Sequence, residues 1–499
     1  MSDNRNSYSS ILKSIGLFGG VQVFQILVGI IKNKIVAVLL GPVGMGIVSM
    51  ITSSAQIIES CTGFGLGTSG MRGIASAQTT NDPQKLGRVL SVVRKLVLFT
   101  GILGSLAIFI LAKQLSAWSF GNDSYTTAFR IVCVIALFDQ LKVGQTALMQ
   151  GTFHYKLMAK SALWGSIVGL VVSVPLYYLY GEKAIVPVII INSLAGLLLS
   201  FLYARKISYR KSSLTAKEVW SDGKEMLRLG MAIALTGAVG LGTTYVLRAY
   251  ISNFGSIDDV GLYAAGSSFA TMYINVILSA MATDYSPRLA SICNDIPAFI
   301  ETINRQMKLM VTIMLPLIVL FVVVIRELTI IFYSTEFLDV TKMIEWMMLG
   351  MFFRAMSWCM SFAQVARGDS KVFFWNEFAS SIYTVVLSVI GYHYFRFTGL
   401  GIAFFLQYFI YTIQMYILSR KRFGYYISKD ALSVLAKNLL LLVVSFIVLQ
   451  FFHYSIWRYI VGFVFLMISV VMTYKIMNTM IPVKESLVNV LNKVVKKNE

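Results

Sequence analysis

Long apolar runs broken by short polar stretches dominate the chain. Such runs fall near residues 12–31, 36–58, 92–112, 126–148, 158–180, 185–204, 228–250, 261–284, 308–331, 344–365, 373–395, 399–419, 433–452 and 457–475. Each is about 20 residues long, the length that carries one α-helix across a bilayer. The runs are continuous and do not alternate, which excludes a β-barrel. Only a helix satisfies the backbone polarity of such a run within one segment. The pattern predicts an all-α polytopic membrane protein with about 14 transmembrane helices.

Composition agrees with this reading. Of 499 residues, 57% are hydrophobic and 13% charged, against the roughly 25% charged of a soluble domain. Mean hydropathy is +0.72, so an ordinary soluble enzyme is excluded. The formal net charge of +20, from 43 Lys+Arg against 23 Asp+Glu, would suggest nucleic acid in a soluble protein. In a polytopic chain it reflects basic loops retained in the cytoplasm, and no nucleic-acid partner is expected. The richest loop holds Arg205, Lys206, Arg210, Lys211, Lys217, Lys224 and Arg228, and placing it inside puts both termini in the cytoplasm. The polar start MSDNRNSYSS lacks a small-residue cleavage site, so the first run is expected to remain as a helix.

The same loop divides the chain. Val43-Gly44-Met45 recurs as Val260-Gly261-Leu262, 217 residues on, and Arg72-Gly73-Ile74-Ala75-Ser76 as Arg288-Leu289-Ala290-Ser291, 216 on. Two pseudo-symmetric six-helix lobes are expected at 1–205 and 228–425, joined by a cytoplasmic linker at 206–227. Residues 426–499 then supply a C-terminal helix pair and a basic tail. Repeat-built transporters hold substrate between their halves.

Catalytic motifs are lacking. Gly65-Leu66-Gly67-Thr68-Ser69-Gly70 matches a dinucleotide fingerprint but follows an apolar helix instead of a strand, which suits a helix end or close helix packing. His154, His393 and His453 lie far apart, and so do the four cysteines. Neither a metal site, a cofactor nor an enzyme is expected. No Walker A sequence is present, so this chain does not consume ATP.

Charge inside spans is costly and by default marks a pathway. Asp139 and Lys142 share a helix face three residues apart, as a self-neutralised pair or as the lining of a hydrated cavity. Arg354 lies mid-span with no acid nearer in sequence than Glu345. Under the repeat its position corresponds to that of Asp139, so both halves would carry mid-span charge at equivalent depth, which points to a central polar, cationic cavity between them. Lys32, Lys34, Arg72, Arg130, Arg248 and Arg288 lie near span ends, either snorkelling to the headgroups or extending that cavity. Glu59, Asp139, Asp284 and Glu377 are the acids in or near spans, with Asp139 and Glu59 candidates for proton or sodium coupling.

The stretches Gly41-Pro42-Val43-Gly44-Met45-Gly46, Gly121-Asn122-Asp123-Ser124-Tyr125, and Gly261-Leu262-Tyr263 through Ser286-Pro287-Arg288-Leu289 keep their order over most of the chain. In them the sequence resembles bacterial O-antigen and enterobacterial-antigen flippases. These belong to the polysaccharide transporter family of the multidrug/oligosaccharidyl-lipid/polysaccharide exporter superfamily. The resemblance implies a V-shaped two-lobed bundle in the bacterial inner membrane. It would flip an undecaprenyl-pyrophosphate-linked oligosaccharide to the periplasmic leaflet, beside a polysaccharide polymerase and a chain-length regulator. Related lipid II flippases carry basic residues late in their first helix, and Lys32 and Lys34 match them. The pair at 433–475 departs from the twelve-helix pattern, as in fourteen-helix members whose added pair forms a lipid groove. A drug/cation antiporter of the same superfamily is the alternative, favoured by an acidic cavity. A polysaccharide polymerase is a weaker one, since the outside loops are short.

Overall fold

The computed structural model describes residues 2–80, 82–209, 212–452 and 455–480, with side chains from residue 24 onward except at 232, 233, 273, 283, 370 and 480. Arg210, Lys211, His453 and the basic tail 481–499 lie outside the described residues. Among the described residues the regular structure is helical: α1 Ser2–Thr62, α2 Leu66–Thr79, α3 Pro83–Ile110, α4 Ala112–Phe120, α5 Thr126–Val132, α6 Val134–Gly151, α7 Tyr155–Tyr180, α8 Ile185–Ala204, α9 Ala216–Phe254, α10 Ile257–Ser291, α11 Ile296–Phe332, α12 Thr341–Ala366, α13 Ser370–Phe423, α14 Lys429–Phe451 and α15 Ile456–Met480. Single 3-10 turns link α7 to α8 and α11 to α12.

Among the described residues nine helices or continuous helical stretches are long and apolar enough to cross a membrane, and a pair bent by 44° within α9 makes a tenth. Phe24–Thr62, Tyr155–Ala204 and Lys371–Phe423 span 39, 50 and 53 residues, well beyond the roughly 20 that one crossing needs. Each is interrupted: at Gly41 (φ 63°), at the 3-10 turn Gly181–Ala184, and at Arg396 (φ 48°). The first interruption corrects the sequence reading. Lys32-Asn33-Lys34 was expected to end a helix, but α1 runs through it. The break comes where Gly41 adopts a left-handed conformation and Pro42 withholds a backbone donor.

Local chemistry fixes other boundaries. Asp82 accepts from the Gln84 and Lys85 amides (2.8 and 3.3 Å) with Pro83 at the first position of α3. Thr215 and Glu218 form a reciprocal capping box at the start of α9, the Thr215 amide donating to Glu218 at 2.7 Å.

The chain parts into two compact units, Met1–Ala265 with Phe332–Phe337, and Gly266–Ile331 with Leu338–Glu499. In the first, Leu66, Ile74, Leu90, Val93, Val97 and Leu148 pack a core among α2, α3 and α6. The expected linker 206–227 falls inside this unit, where Arg88 on α3 donates to Asp222 on α9 at 2.6 Å. Gly65, the first glycine of the dinucleotide-like run, caps α2 at φ 58°; a Cβ there would lie 2.2 Å from the Gly230 carbonyl oxygen. The motif is therefore a helix end packed on α9. A Cβ on Gly261 would stand 1.9 Å from the Pro42 carbonyl oxygen, so two of the stretches that carry the family resemblance meet backbone to backbone.

The second unit buries a methionine-rich core, including Met310, Met314, Met347, Met351 and Met360 from α11 and α12. Unbranched thioethers fill irregular gaps well. Arg458 on α15 pairs with Glu345 on α12 at 2.5 Å, with side chains 4% and 2% exposed. Gln450 on α14 donates to the same carboxylate (2.7 Å), and Arg458 also donates to the Val322 carbonyl (2.7 Å). A buried ion pair persists only when its remaining groups are hydrogen-bonded in this way. The network ties the C-terminal helix pair to α11 and α12.

Candidate functional site

Within the first unit, α1, α6, α7 and α8 enclose a cavity of about 490 Å³. Each helix contributes one narrow stripe. From α1 come Gln25, Gly29 and Lys32; from α6, Lys142 and Thr146; from α7, Ser161, Gly165 and Gly169; from α8, Asn192, Gly196 and Ser200. These positions recur at intervals of three or four, so each stripe lies along one face of its helix. The rest of α7 and α8 is strongly apolar, and the small and polar residues collect on the cavity side.

Small residues make room for the long ones. Lys142 lies along Gly196, where an added Cβ would stand 3.3 to 3.4 Å from its Cδ, Cε and Nζ. Gly169 admits Asn192, whose Oδ1 would be 2.3 Å from an added Cβ and whose amide donates to Ser173 at 3.1 Å. Gly165 and Gly196 face each other across the α7–α8 contact, the close approach that small residues permit between membrane helices.

The charged side chains that line the cavity are Lys32 and Lys142, and two carboxyls lie next to Lys142. Lys142 Nζ lies 3.5 Å from Asp139 Oδ1, the pair that their spacing predicts, and both remain partly exposed. Glu59 on α1 lies within electrostatic reach of both, and its buried Oε1 accepts no hydrogen bond among the described residues. Nearby, Gln140 links α6 to the residue that follows α1 and to α3 by donating to the Gly63 carbonyl (3.3 Å) and Thr100 (3.0 Å). Lys142, Asp139 and Glu59 therefore form one interacting group, and Lys32 lines the same cavity as Lys142. Isolated mid-span lysines cost about 3 kcal/mol each to insert, so this group requires a hydrated or anionic setting.

The other predicted residues lie elsewhere. Lys34 donates to the Tyr333 carbonyl, and the Tyr333 hydroxyl donates to the Ala265 carbonyl at 3.0 Å, so Lys34 braces the 332–337 segment. Arg248 donates to the Ser49 carbonyl at 3.4 Å and does not line the cavity. Arg72 is exposed on α2. Arg288 pairs with Asp284 one turn earlier at 2.5 Å on an exposed face.

Arg354 belongs to the second unit. Its Nη2 donates to Asn275 at 2.7 Å and its guanidinium lies 5.5 Å from the Tyr408 ring centroid. Among the described residues it joins no ion pair, so its solvation comes from neutral groups. Tyr411, one turn from Tyr408, donates to Glu377.

Sequence reasoning missed Asn192, Ser161 and the glycines that shape the cavity. Their signal was present: Gly165 and Gly169 form a GxxxG stripe, and Asn192, Gly196 and Ser200 recur every four residues in an otherwise apolar run.

A polysaccharide biosynthesis protein family model matches residues 35–342. The lipid III flippase of Escherichia coli (strain K12) is 23% identical over 362 residues, covering 70% of this chain and 83% of that protein. Among solved structures, an inward-facing multidrug resistance MATE family transporter of the MOP superfamily superimposes with a TM-score of 0.70 at 14% identity, covering 83% of this chain and 96% of that one. The lipid II flippase MurJ in an inward closed conformation gives 0.69 at 15% identity, covering 93% and 98%. The chain shares their transporter fold and is a multi-pass membrane protein.

Proposed function

The chain belongs to the polysaccharide biosynthesis protein family, and on that premise we propose that it is a flippase for an undecaprenyl-pyrophosphate-linked oligosaccharide. The cargo is an O-antigen or similar surface-polysaccharide repeat unit, moved by alternating access from the cytoplasmic to the periplasmic leaflet of the bacterial inner membrane. The observation that carries this reading is the cavity that places Lys32 and Lys142 among hydroxyls, two amides and glycines. Dragging a pyrophosphate and several sugars through hydrocarbon is prohibitive. Fixed ammonium groups hold the pyrophosphate, and the serine, threonine and asparagine side chains replace water around the sugars. The prenyl tail stays in the lipid. The similarity to the lipid III flippase supports a lipid-linked cargo.

Arg354 serves as a further anion contact, since its partners leave its charge uncompensated. Glu59 and Asp139 supply the coupling. Ionised, the two carboxyls offset the two cavity lysines, and protonation of Glu59 leaves a net positive charge receptive to pyrophosphate. Flipped units pass to a polymerase and a chain-length regulator. The rival reading, a drug/cation antiporter, draws on the same two carboxyls and predicts efflux of organic cations.

Depleting the protein tests the proposal in cells. Lipid-linked oligosaccharide should accumulate on the cytoplasmic side while surface polysaccharide falls. Undiminished surface polysaccharide in the depleted cells contradicts the reading.

A further inference from the structure

The two arms of α13 run antiparallel: Gly391 packs on Gly399 next to the break at Arg396, and Gln414 donates to Asn376 farther along. Lys371 begins one arm and Lys421 ends the other, so both stand at the same end of the hairpin. They line a single groove of about 790 Å³. The remainder of its wall is almost wholly apolar and open to the surroundings, with Trp375 64%, Ile413 44% and Ile417 47% exposed.

The amides in the groove wall, Asn376 and Gln414, are engaged with each other, and Asn376 also donates to Met415 Sδ at 2.8 Å. They leave little for a sugar to bind. Lys371 and Lys421 differ: both are exposed, and among the described residues neither joins an ion pair. An apolar trough in a membrane takes a hydrocarbon chain, and two uncompensated ammonium groups at its mouth favour an anionic head. Basic sites between membrane helices recognise acidic lipid headgroups on this principle.

We propose that the groove between the arms of α13 is a binding site for an anionic glycerophospholipid, with its phosphate between Lys371 and Lys421 and an acyl chain along Trp375, Ile413 and Ile417. This site is separate from the cavity of the first unit and does not rest on the flippase reading.

Trp375 supplies the probe. The purified full chain is reconstituted in phosphatidylcholine vesicles containing increasing fractions of acyl-brominated phosphatidylglycerol or acyl-brominated phosphatidylcholine. Subtracting the signal of Trp375→Phe isolates the groove tryptophan. Brominated phosphatidylglycerol should quench this component at a several-fold lower mole fraction than brominated phosphatidylcholine. The preference should disappear in a Lys371→Gln/Lys421→Gln variant and weaken in high salt for the unaltered chain, which requires no substitution. Equal quenching by both lipids overturns the proposal, as does a preference that survives both the double substitution and salt. Relief of quenching by undecaprenyl pyrophosphate, but not by unbrominated phosphatidylglycerol at the same fraction, also overturns it and assigns the groove to the carrier lipid.

Discussion

Lys142 lies on a bed made by the absence of a side chain at residue 196. Two substitutions therefore reach the same ammonium from opposite directions. Lys142→Ala removes a charged contact worth about 1.5–3 kcal/mol, so transport should fall roughly 10- to 100-fold with membrane levels unchanged. Gly196→Leu should cause a comparable loss with the lysine still present, because the new side chain displaces it, whereas Gly196→Ala meets only the flexible end of Lys142 and should be mild. Transport assays at matched protein levels check all three, and wild-type rates in both Lys142→Ala and Gly196→Leu contradict the cavity assignment. Arg248→Ala should stay nearer wild type, since that guanidinium turns to the Ser49 carbonyl. The Asp139–Lys142 pair was legible because three residues on a helix fix a shared face. Arg354 was legible as a mid-span charge, but its partners Asn275 and Tyr408 were not, since contacts between distant segments leave no local periodic trace.

At the scale of elements, the C-terminal pair is held to its neighbours by a buried charge. Arg458→Ala leaves the Glu345 carboxyl buried without its ion-pair partner, which should destabilise the protein by about 3–5 kcal/mol. Replacing both, Arg458→Met with Glu345→Leu, should recover most of that loss. Thermal unfolding in detergent distinguishes these outcomes, and an unaltered midpoint in Arg458→Ala contradicts the bracing role. In the α13 hairpin, a Cβ on Gly399 would stand 1.8 Å from the Gly391 carbonyl oxygen, so Gly399→Ala should lower the midpoint by forcing the arms apart. Apolar runs located most helices because burial of backbone polarity forces the chain into them. They misplaced the first break: Lys32-Asn33-Lys34 looked like a loop, yet a helix carries those residues without interruption when a polar cavity lies beside it. Gly41-Pro42, whose backbone conformation does end the helix, sat inside an apolar run.

For the whole molecule, the distribution of basic residues predicts which loops face the cytoplasm. We expect Ser213→Cys, in the basic linker, to react with a membrane-impermeant thiol reagent only in inverted vesicles, and Glu182→Cys, in the turn between α7 and α8, only in intact cells. The reverse pattern contradicts an orientation with cytoplasmic termini. Composition and hydropathy made the membrane class plain, because no soluble core accounts for so much apolar surface. The proposed cargo rests on family resemblance, since lysines and hydroxyls suit anionic saccharides in general without naming one. The most direct measurement is transbilayer movement of a fluorescent undecaprenyl-pyrophosphate oligosaccharide in proteoliposomes, with a cationic dye in parallel. The account predicts lipid movement that is lost in Lys142→Ala and Lys32→Ala, with no dye transport. Dye efflux without lipid movement contradicts it.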